Sequence, residues 1–568
     1  MGFTFIEKYC IIGIRIMKID LRNQQFIISF PYDIKTINFV KQIDGRSWDP
    51  KHKIWKVPAS IENYEQIFQN YTSEVELSPK ILSWHNDIIN IQRQIQHAQK
   101  FKVAELSTDY TFKTKPFSHQ VQCFNFFKEL NIGGLFLEVG LGKTKIIIDL
   151  LSYLKLMGKI TNSILYVCPN SVLENVVHEL ELHSPIEWTN CILNGSKEKK
   201  RKLLLEKHDV YIINYEAVRT IEQELMKKGF DVIICDESTR IKNPQALCSK
   251  ALHRLGQGVK YRYIMTGTPL VESAIDLFSQ FKFLESSIFG PSYYAFKNRY
   301  AIMGGYMNHQ IVGYRHLDTL HKKIFSVSLR FTKDQCLDLP EKIYEVKQFD
   351  LNQQEQDLYK QIKKNIFTEI MGKQISAQLA ITKLTKLLQV TSGFVLTDDK
   401  KRLGIKNSSK LKLLKETIED ILPNKIIIWN IYTANIDMIS RMLNEMKIDH
   451  VIFDGRSKQE DRQKLVNEFQ DNTNCKIFLA QIRTGGLGLN LTAASYVVYY
   501  SNTFSLSDRL QSEGRAHRIG SVRNVTYIDL VARKTIEKSI LRALKKKLNL
   551  AQLVIDNTDL KKLADGEL

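Results

Sequence analysis

The stretch GGLFLEVGLGKTKIIIDLLSYL, residues 133–154, decides the fold. It opens with a short continuous apolar run of strand length and closes with an apolar run at helical spacing. Between them lies a glycine-rich turn ending in Lys143 and Thr144. A strand that feeds a helix through such a turn suits a phosphate. The glycines let backbone N–H groups approach the anion, and the helix N-terminus adds a positive dipole. Lys143 then reaches the outer phosphates and Thr144 can ligate Mg²⁺. The stricter phosphate-loop spacing would need a glycine at Leu137, so the match is to GLGKT alone.

Working outward, the apolar runs SILYVCP (163–169), DVYIINY (209–215), FDVIICD (230–236) and YRYIMTG (261–267) alternate with helix-like segments. Continuous rather than alternating strands imply a parallel sheet covered on both faces, hence an α/β domain ending near Leu284. A second series, KIIIWNI, HVIFDG, CKIFLAQ, YVVYYS and VTYIDLV, begins at Lys425 and predicts a second α/β domain. The intervening stretch is aromatic, basic and largely helical in period.

FDVIICD runs directly into DESTRIKN, residues 236–243. Adjacent ionised carboxylates at the end of a buried strand are costly unless a cation or proton compensates them. A phosphate loop on another strand supplies the reason. Asp236 is expected to hold Mg²⁺ through water, and Glu237 to orient and deprotonate an attacking water. The bland alternative is a solvated acidic turn capping the next segment.

The chain has 568 residues, enough for about three or four domains, and its 43% hydrophobic and 25% charged content is that of a globular protein. Its net charge of +20 and pI near 9.3 point to an anionic partner, most simply nucleic acid. Eight scattered cysteines form no CxxC pair, which argues for reduced thiols in a reducing compartment and against zinc or disulfides. The run YCIIGIRIM follows Glu7 and Lys8 and carries Arg15, so it does not read as a signal peptide. Because Met17 opens the clean strand pattern MKIDLRNQQFIISF, residues 1–16 are expected to be an upstream extension from a mis-assigned start.

With these residues in view, the chain from Pro116 onward resembles the Swi/Snf-related ATPases of helicase superfamily two, especially the annealing helicases. SHQVQCFNFF resembles the adenine-contacting motif and implies Gln120 at the base. ILYVCPNSVLENVVHEL resembles a nucleic-acid segment and implies Asn170 in that role. IMTGTPL resembles the switch in which Thr266 and Thr268 couple hydrolysis to movement. FGPSYYAFKNRYAIM and SLRFTKDQCLDLPEKIYEV resemble the insertion between lobes, where Arg330 and Lys333 otherwise read as a basic helical surface. QIRTGGLGLNLTAAS and RLQSEGRAHRIGS resemble the second-lobe motifs, implying Thr484 on nucleic acid and Gly486 and Gln511 at the nucleotide. The spacing of Arg515 and Arg518 puts both on one face of a helix, from which their guanidinium groups would neutralise a transferring phosphoryl group. The nucleotide loop is then Glu138, Val139, Gly140, Leu141, Gly142, Lys143 and Thr144. Three departures stand out: Ser238 and Thr239 replace the usual Ala-His, Val139 follows Glu138, and YSNTFSLSDRLQ lacks a Trp-Asn-Pro.

The segment FPYDIKTINFVKQIDGRSWDPKHKIWKVPASIENYEQIF resembles the small HepA-related domain preceding the motor in annealing helicases. Trp48 and Trp55 fall on paired strands flanked by Arg46, Lys51, His52 and Lys53, an arrangement suited to stacking on bases and holding phosphates. Equally, both tryptophans suit the core of a very small domain. The expected fold class is α/β: two RecA-like parallel-sheet lobes with a helical insertion, plus a small α+β N-terminal domain. The expected divisions are 1–75, a connector 76–110, lobe one 111–284, the insertion 285–405 and lobe two 406–568. The expected function is an ATP- and Mg²⁺-dependent translocase on duplex or branched DNA, plausibly monomeric, without a membrane. Its expected setting is a bacterial or phage-infected cytoplasm, or a nucleus in a eukaryote. A strand-separating helicase and an ATP-switched binding module are the alternatives.

Overall fold

The computed structural model describes residues 17–70, 75–106, 108–270, 273–305, 310–370, 377–396, 402–458, 461–485, 489–518 and 520–555. Residues 1–16, to which the expected upstream extension belongs, lie outside that description. Of the eight cysteines, the seven described are free thiols.

The first lobe is a seven-stranded sheet in the order Ser328–Phe331, Ile132–Leu137, Tyr261–Met265, Val232–Asp236, Ile164–Cys168, Val210–Asn214, Asn190–Ile192. Every ladder in it is parallel. The continuous apolar runs follow from burial on both faces: Leu165, Val167, Ile233 and Cys235 enter one core, and Ile164, Tyr166, Val232 and Ile234 the other. All strands end at one edge, which is where open α/β sheets present their ligand sites.

The second lobe repeats this plan with six parallel strands, ordered Lys342–Phe349, Val525–Ala532, Tyr496–Tyr499, Ile426–Asn430, Ile477–Gln481, His450–Phe453. Two strands, one in each lobe, correct the expected helical insertion. Ser328–Phe331 pairs with Ile132–Leu137 in lobe one, and Lys342–Phe349 pairs with Val525–Ala532 in lobe two. The chain therefore crosses between lobes at residues 332–341. Both strands lie at sheet edges, so neither carries the continuous apolar run that marks a central strand. Helices Gln353–Ile370 and Ala377–Thr391 do lie in the insertion, beside two small two-stranded sheets, Ala301–Gly304 with Gln310–Tyr314 and Phe394–Leu396 with Arg402–Gly404.

The N-terminal unit is a five-stranded sheet, Ser47–Asp49, Ile54–Pro58, Gln25–Ser29, Met17–Arg22, Val75–Leu77, with helices Ile34–Val40 and Ile61–Asn70. Its small core includes Phe26, Ile28, Val40, Val57 and Ile67. The polar connector is one long helix, Pro79–Ala98. Its Trp84 meets Phe26 edge-on at 5.2 Å, and its Ile91 and Ile95 pack on lobe one. No helix of the described residues is long and apolar enough to cross a membrane.

Candidate nucleotide site between the lobes

The strand Ile132–Leu137 is fully buried, and the chain turns sharply beyond it before the helix Lys143–Leu156 begins. Gly140 and Gly142 both take positive φ, +94° and +78°, which only glycine adopts without strain. A Cβ on Gly142 would fall 2.2 Å from the Gln120 amide nitrogen. Gln120 is itself buried beneath the loop. Its amide donates to the Leu141 carbonyl (3.3 Å) and its amide oxygen accepts from Phe117 N–H (3.1 Å). His119 donates through Nε2 to the same Leu141 carbonyl at 3.0 Å. The pair braces the loop from below, and each end of the Gln120 amide keeps one further hydrogen-bonding position beyond these contacts.

Lys143 folds back on its loop, its ammonium donating to the carbonyls of Leu137 (2.9 Å) and Glu138 (3.5 Å). Burial lowers its pKa, while the facing charges of Glu237 and Asp236 oppose that shift. Thr144 follows on the first turn of the helix. Asp236 ends the strand Val232–Asp236, separated from Ile132–Leu137 by Tyr261–Met265, and is buried. Tyr166 OH donates to its Oδ2 at 3.4 Å, the Glu237 N–H to its Oδ1 at 2.9 Å, and Tyr215 OH to its backbone carbonyl at 2.7 Å. Burial first, and then the charge of Glu237, raise its pKa from 3.8 to about 7, with Lys143 pulling the other way. Glu237 stands at φ +52°, a left-handed conformation that costs a non-glycine residue about 1–3 kcal/mol. Its carboxylate accepts from Thr266 Oγ1 at 3.3 Å, and Thr268 N–H donates to that same hydroxyl at 3.2 Å. Among the described residues no group of three or more His, Cys, Asp or Glu could hold a metal ion alone. Thr144 and Asp236 fit Mg²⁺ in its usual manner, shared between one carboxylate and substrate phosphates.

The second lobe closes the site. The helix Leu506–Glu513 carries Gln511 and ends at Glu513, so Arg515 and Arg518 do not share a helix face as their spacing suggested. Their turn is held by Arg515 N–H to Ser512 O (3.3 Å), His517 N–H to Glu513 O (3.3 Å) and Ser521 Oγ to Ala516 O (2.6 Å). The helix stops at its C-cap Gly514, where lobe one also comes close: a Cβ there would lie 3.2 Å from Val139 Cβ. On its other side Val139 meets Gly267, where a Cβ would lie 3.3 Å from its methyl group. Arg515 is buried. Desolvation and the nearby Arg518 lower its pKa to about 10, and Glu237 across the cleft opposes them. Arg518 lies beside Gly140, its Cβ 3.6 Å from where a Gly140 Cβ would be, and donates to Leu489 O at 3.3 Å. Gly486 lies outside the described residues.

A second cavity, about 410 Å³, opens between the lobes. Lobe one contributes Asn170, Tyr215 and Arg240, and lobe two Arg462, Arg483 and Thr484. Asn170 accepts from Asn214 Nδ2 at 3.1 Å, and Thr484 donates to Gln481 at 3.4 Å. Tyr215 links this cavity to the backbone of Asp236. The three arginines were not singled out from the sequence, although Arg240 stands in DESTRIKN itself, where adjacency to the acids was the available signal. Arg46, Trp48, Lys51, Lys53 and Trp55 do not line this cavity. They belong to the edge hairpin of the N-terminal sheet, where Trp48 pairs with Trp55 and their rings lie 5.1 Å apart. Trp55 packs on the small core and Trp48 is 46% exposed. Asp49 sits amid the basic turn and takes up Lys56 (2.8 Å) and His52 (3.0 Å), leaving Arg46, Lys51 and Lys53 at the surface.

Residues 118–393 match the SNF2-related domain, and residues 409–520 match the helicase conserved C-terminal domain. An uncharacterized ATP-dependent helicase of Mycoplasma genitalium is 25% identical over 554 residues, covering 96% of this chain and 51% of that protein. A Caenorhabditis elegans homolog of the SWI/SNF-related matrix-associated actin-dependent regulator of chromatin subfamily A-like protein 1 is 25% identical over 568 residues, covering 98% of this chain and 78% of the relative. The chain spans about half the length of the first curated relatives it matches. Among solved structures, the Sulfolobus solfataricus SWI2/SNF2 ATPase core in complex with dsDNA is 27% identical, covering 80% of this chain and 96% of that one at a TM-score of 0.39.

Proposed function

The chain belongs to the Swi/Snf-type ATPases of helicase superfamily two, and from that premise we propose that it hydrolyses ATP to move along double-stranded DNA and to remodel or reanneal branched DNA. The observation that carries the reading is that Arg515 of one lobe feels the charge of Glu237 of the other, while Arg518 lies beside Gly140 of the glycine loop. In this reading Lys143 leaves its carbonyls for the outer phosphates of ATP, and Thr144 and Asp236 share Mg²⁺ with them. Glu237 orients and deprotonates the attacking water, and Arg515 and Arg518 stabilise the charge that develops on the phosphoryl group. The adenine would stand near Gln120, and Gly486 and Gln511 would complete the nucleotide pocket.

Opening and closing of the cleft would move the DNA contacts of one lobe relative to those of the other. The arginine-rich cavity supports a phosphate backbone there, with Asn170 and Thr484 beside Arg240, Arg462 and Arg483. The exposed Trp48 and the basic turn of Arg46, Lys51 and Lys53 support contact with a junction or fork by the N-terminal sheet, with Trp55 as the half-buried partner of the ring pair. The Caenorhabditis elegans relative matches over 98% of the chain, so that likeness includes the N-terminal sheet and not the motor alone.

The test is ATP hydrolysis by wild type and Glu237→Gln with no nucleic acid, single-stranded DNA, duplex DNA, forked DNA and RNA. Duplex or forked DNA should stimulate the wild type. The substitution should lower turnover by about 10²–10⁴-fold, the usual worth of a general base, while ATP and DNA still bind. Stimulation by single strands alone would favour a strand-separating helicase. Absence of turnover in every condition would favour an ATP-controlled switch.

A further inference from the structure

The segment that carries the chain from one lobe to the other touches both halves of the site. Arg330 ends its course in lobe one, donating to the carbonyls of Phe136 (3.1 Å) and Gly267 (3.3 Å) and to one carboxylate oxygen of Glu138 (3.4 Å). Three residues on, the Lys333 backbone N–H donates to the other Glu138 oxygen at 3.1 Å. The Lys333 side chain then leaves lobe one. Its ammonium donates to the carbonyl of His517, the residue just before Arg518 in the arginine turn. The His517 imidazole donates through Nε2 to the Pro340 carbonyl at 2.7 Å, returning to the same crossing segment. Both side chains are enclosed, Lys333 at 3% exposure and His517 at 2%.

A buried ammonium is costly, and here its charged neighbours are Lys342, Arg515 and Arg518, with Glu138 as the opposing charge. Desolvation, then Lys342, bring its pKa down to about 7. Stability does not account for such a placement, because apolar residues commonly replace buried charges without loss. Orientation does account for it. The Val139–Gly514 contact brings the lobes together without fixing a direction, whereas a hydrogen bond to one carbonyl is directional.

We propose that Lys333 is a positioning residue that registers the arginine turn of the second lobe against the phosphate loop of the first, with Glu138 as its anchor. The proposal rests on the ATPase reading above. Lys333 Cε lies 4.0 Å from where a Gly140 Cβ would be, but its ammonium is engaged by the His517 carbonyl, so in this proposal its loss acts by displacing the turn and with it Arg515.

The experiment is steady-state ATP hydrolysis at saturating duplex DNA by the full chain as wild type, K333M, R515A and K333M/R515A, with a melting temperature for each. K333M should lower kcat at least about tenfold while KM for ATP and Kd for duplex stay within about twofold. In the R515A background it should add no further loss. A wild type that shows no DNA-stimulated hydrolysis overturns the parent reading. An active wild type with K333M inside twofold of it overturns this proposal, as does a loss that multiplies with that of R515A. If K333M melts at a lower temperature, K333Q decides: an amide keeps a donor and should recover part of kcat, and K333Q no better than K333M overturns the proposal.

Discussion

Asp236 holds a position that an unpaired charge does not tolerate, and its titration is therefore measurable. Burial and Glu237 raise its pKa from 3.8 to about 7. A carboxyl raised on folding stabilises the native state fully below its unfolded pKa, and that contribution is lost as pH rises through the folded value. The window runs from about pH 4 to about pH 7. D236N cannot ionise and should lack this slope. Nucleotide-free wild type should match or exceed D236N in urea melts at pH 5 and trail it at pH 8, and an equal difference at both pH values would refute the assignment. Asp236 and Glu237 were legible in the sequence because their chemistry is contiguous and follows an apolar strand. Lys333 was not legible, since its partner is a backbone carbonyl 184 residues further on. Arg462 and Arg483 were hidden in the same way, because nothing local marks a side chain that meets its neighbours only across a cleft.

At the scale of elements, the two loops beyond the strands Val232–Asp236 and Tyr261–Met265 are tied to each other by side chains. Ser238 Oγ donates to the buried Gln280 amide oxygen at 2.7 Å, and Gln280 donates to the Pro269 carbonyl at 2.9 Å. That carbonyl follows Thr268, whose hydroxyl meets Ser507 of the second lobe at 3.4 Å. The residue after the acids is thereby linked to the switch loop through a hydroxyl. S238A leaves the Gln280 oxygen without this donor, at a cost of about 1–3 kcal/mol in stability. Basal hydrolysis should survive while stimulation by duplex DNA falls, as measured by ATPase rates with and without DNA. Installing Ala-His at 238 and 239 with no change in stimulation would sink the idea. The central strands were legible because two-sided burial writes a continuous apolar run. Ser328–Phe331 and Lys342–Phe349 were missed because an edge strand needs no such run, and the end of the helix at Glu513 was missed although Gly514, a local stop signal, stands just before Arg515.

At the scale of the molecule, the N-terminal sheet is fixed to lobe one. Lys323 pairs with Glu62 and donates to the Ile288 carbonyl at 2.9 Å, and a Cβ on Gly45 would approach Ala295 to 3.8 Å. Anything gripped by Arg46, Lys51 and Lys53 therefore moves with the phosphate loop, whereas Arg462 and Arg483 move with the other lobe. The +20 net charge announced an anionic partner but not this division of labour, which depends on how domains pack. Salt dependence separates the two surfaces, because each neutralised phosphate adds a slope of about −0.9 in log K against log salt on duplex DNA. R240A/R462A should flatten the slope by about 0.9 for every phosphate no longer neutralised, on plain duplex and on a fork alike, since under the proposed function the cleft between the lobes would grip duplex arms in both. R46A/K51A/K53A should leave the duplex slope unchanged and flatten that of the fork. Equal flattening on both substrates would mean that the N-terminal sheet holds ordinary duplex beside the motor. An unchanged slope on both would detach it from DNA and leave Trp48 and its basic turn for another partner. The fork-only outcome alone links the fixed sheet to junction recognition, because only then does a rigid extension of lobe one feel a strand geometry that the cleft between the lobes does not.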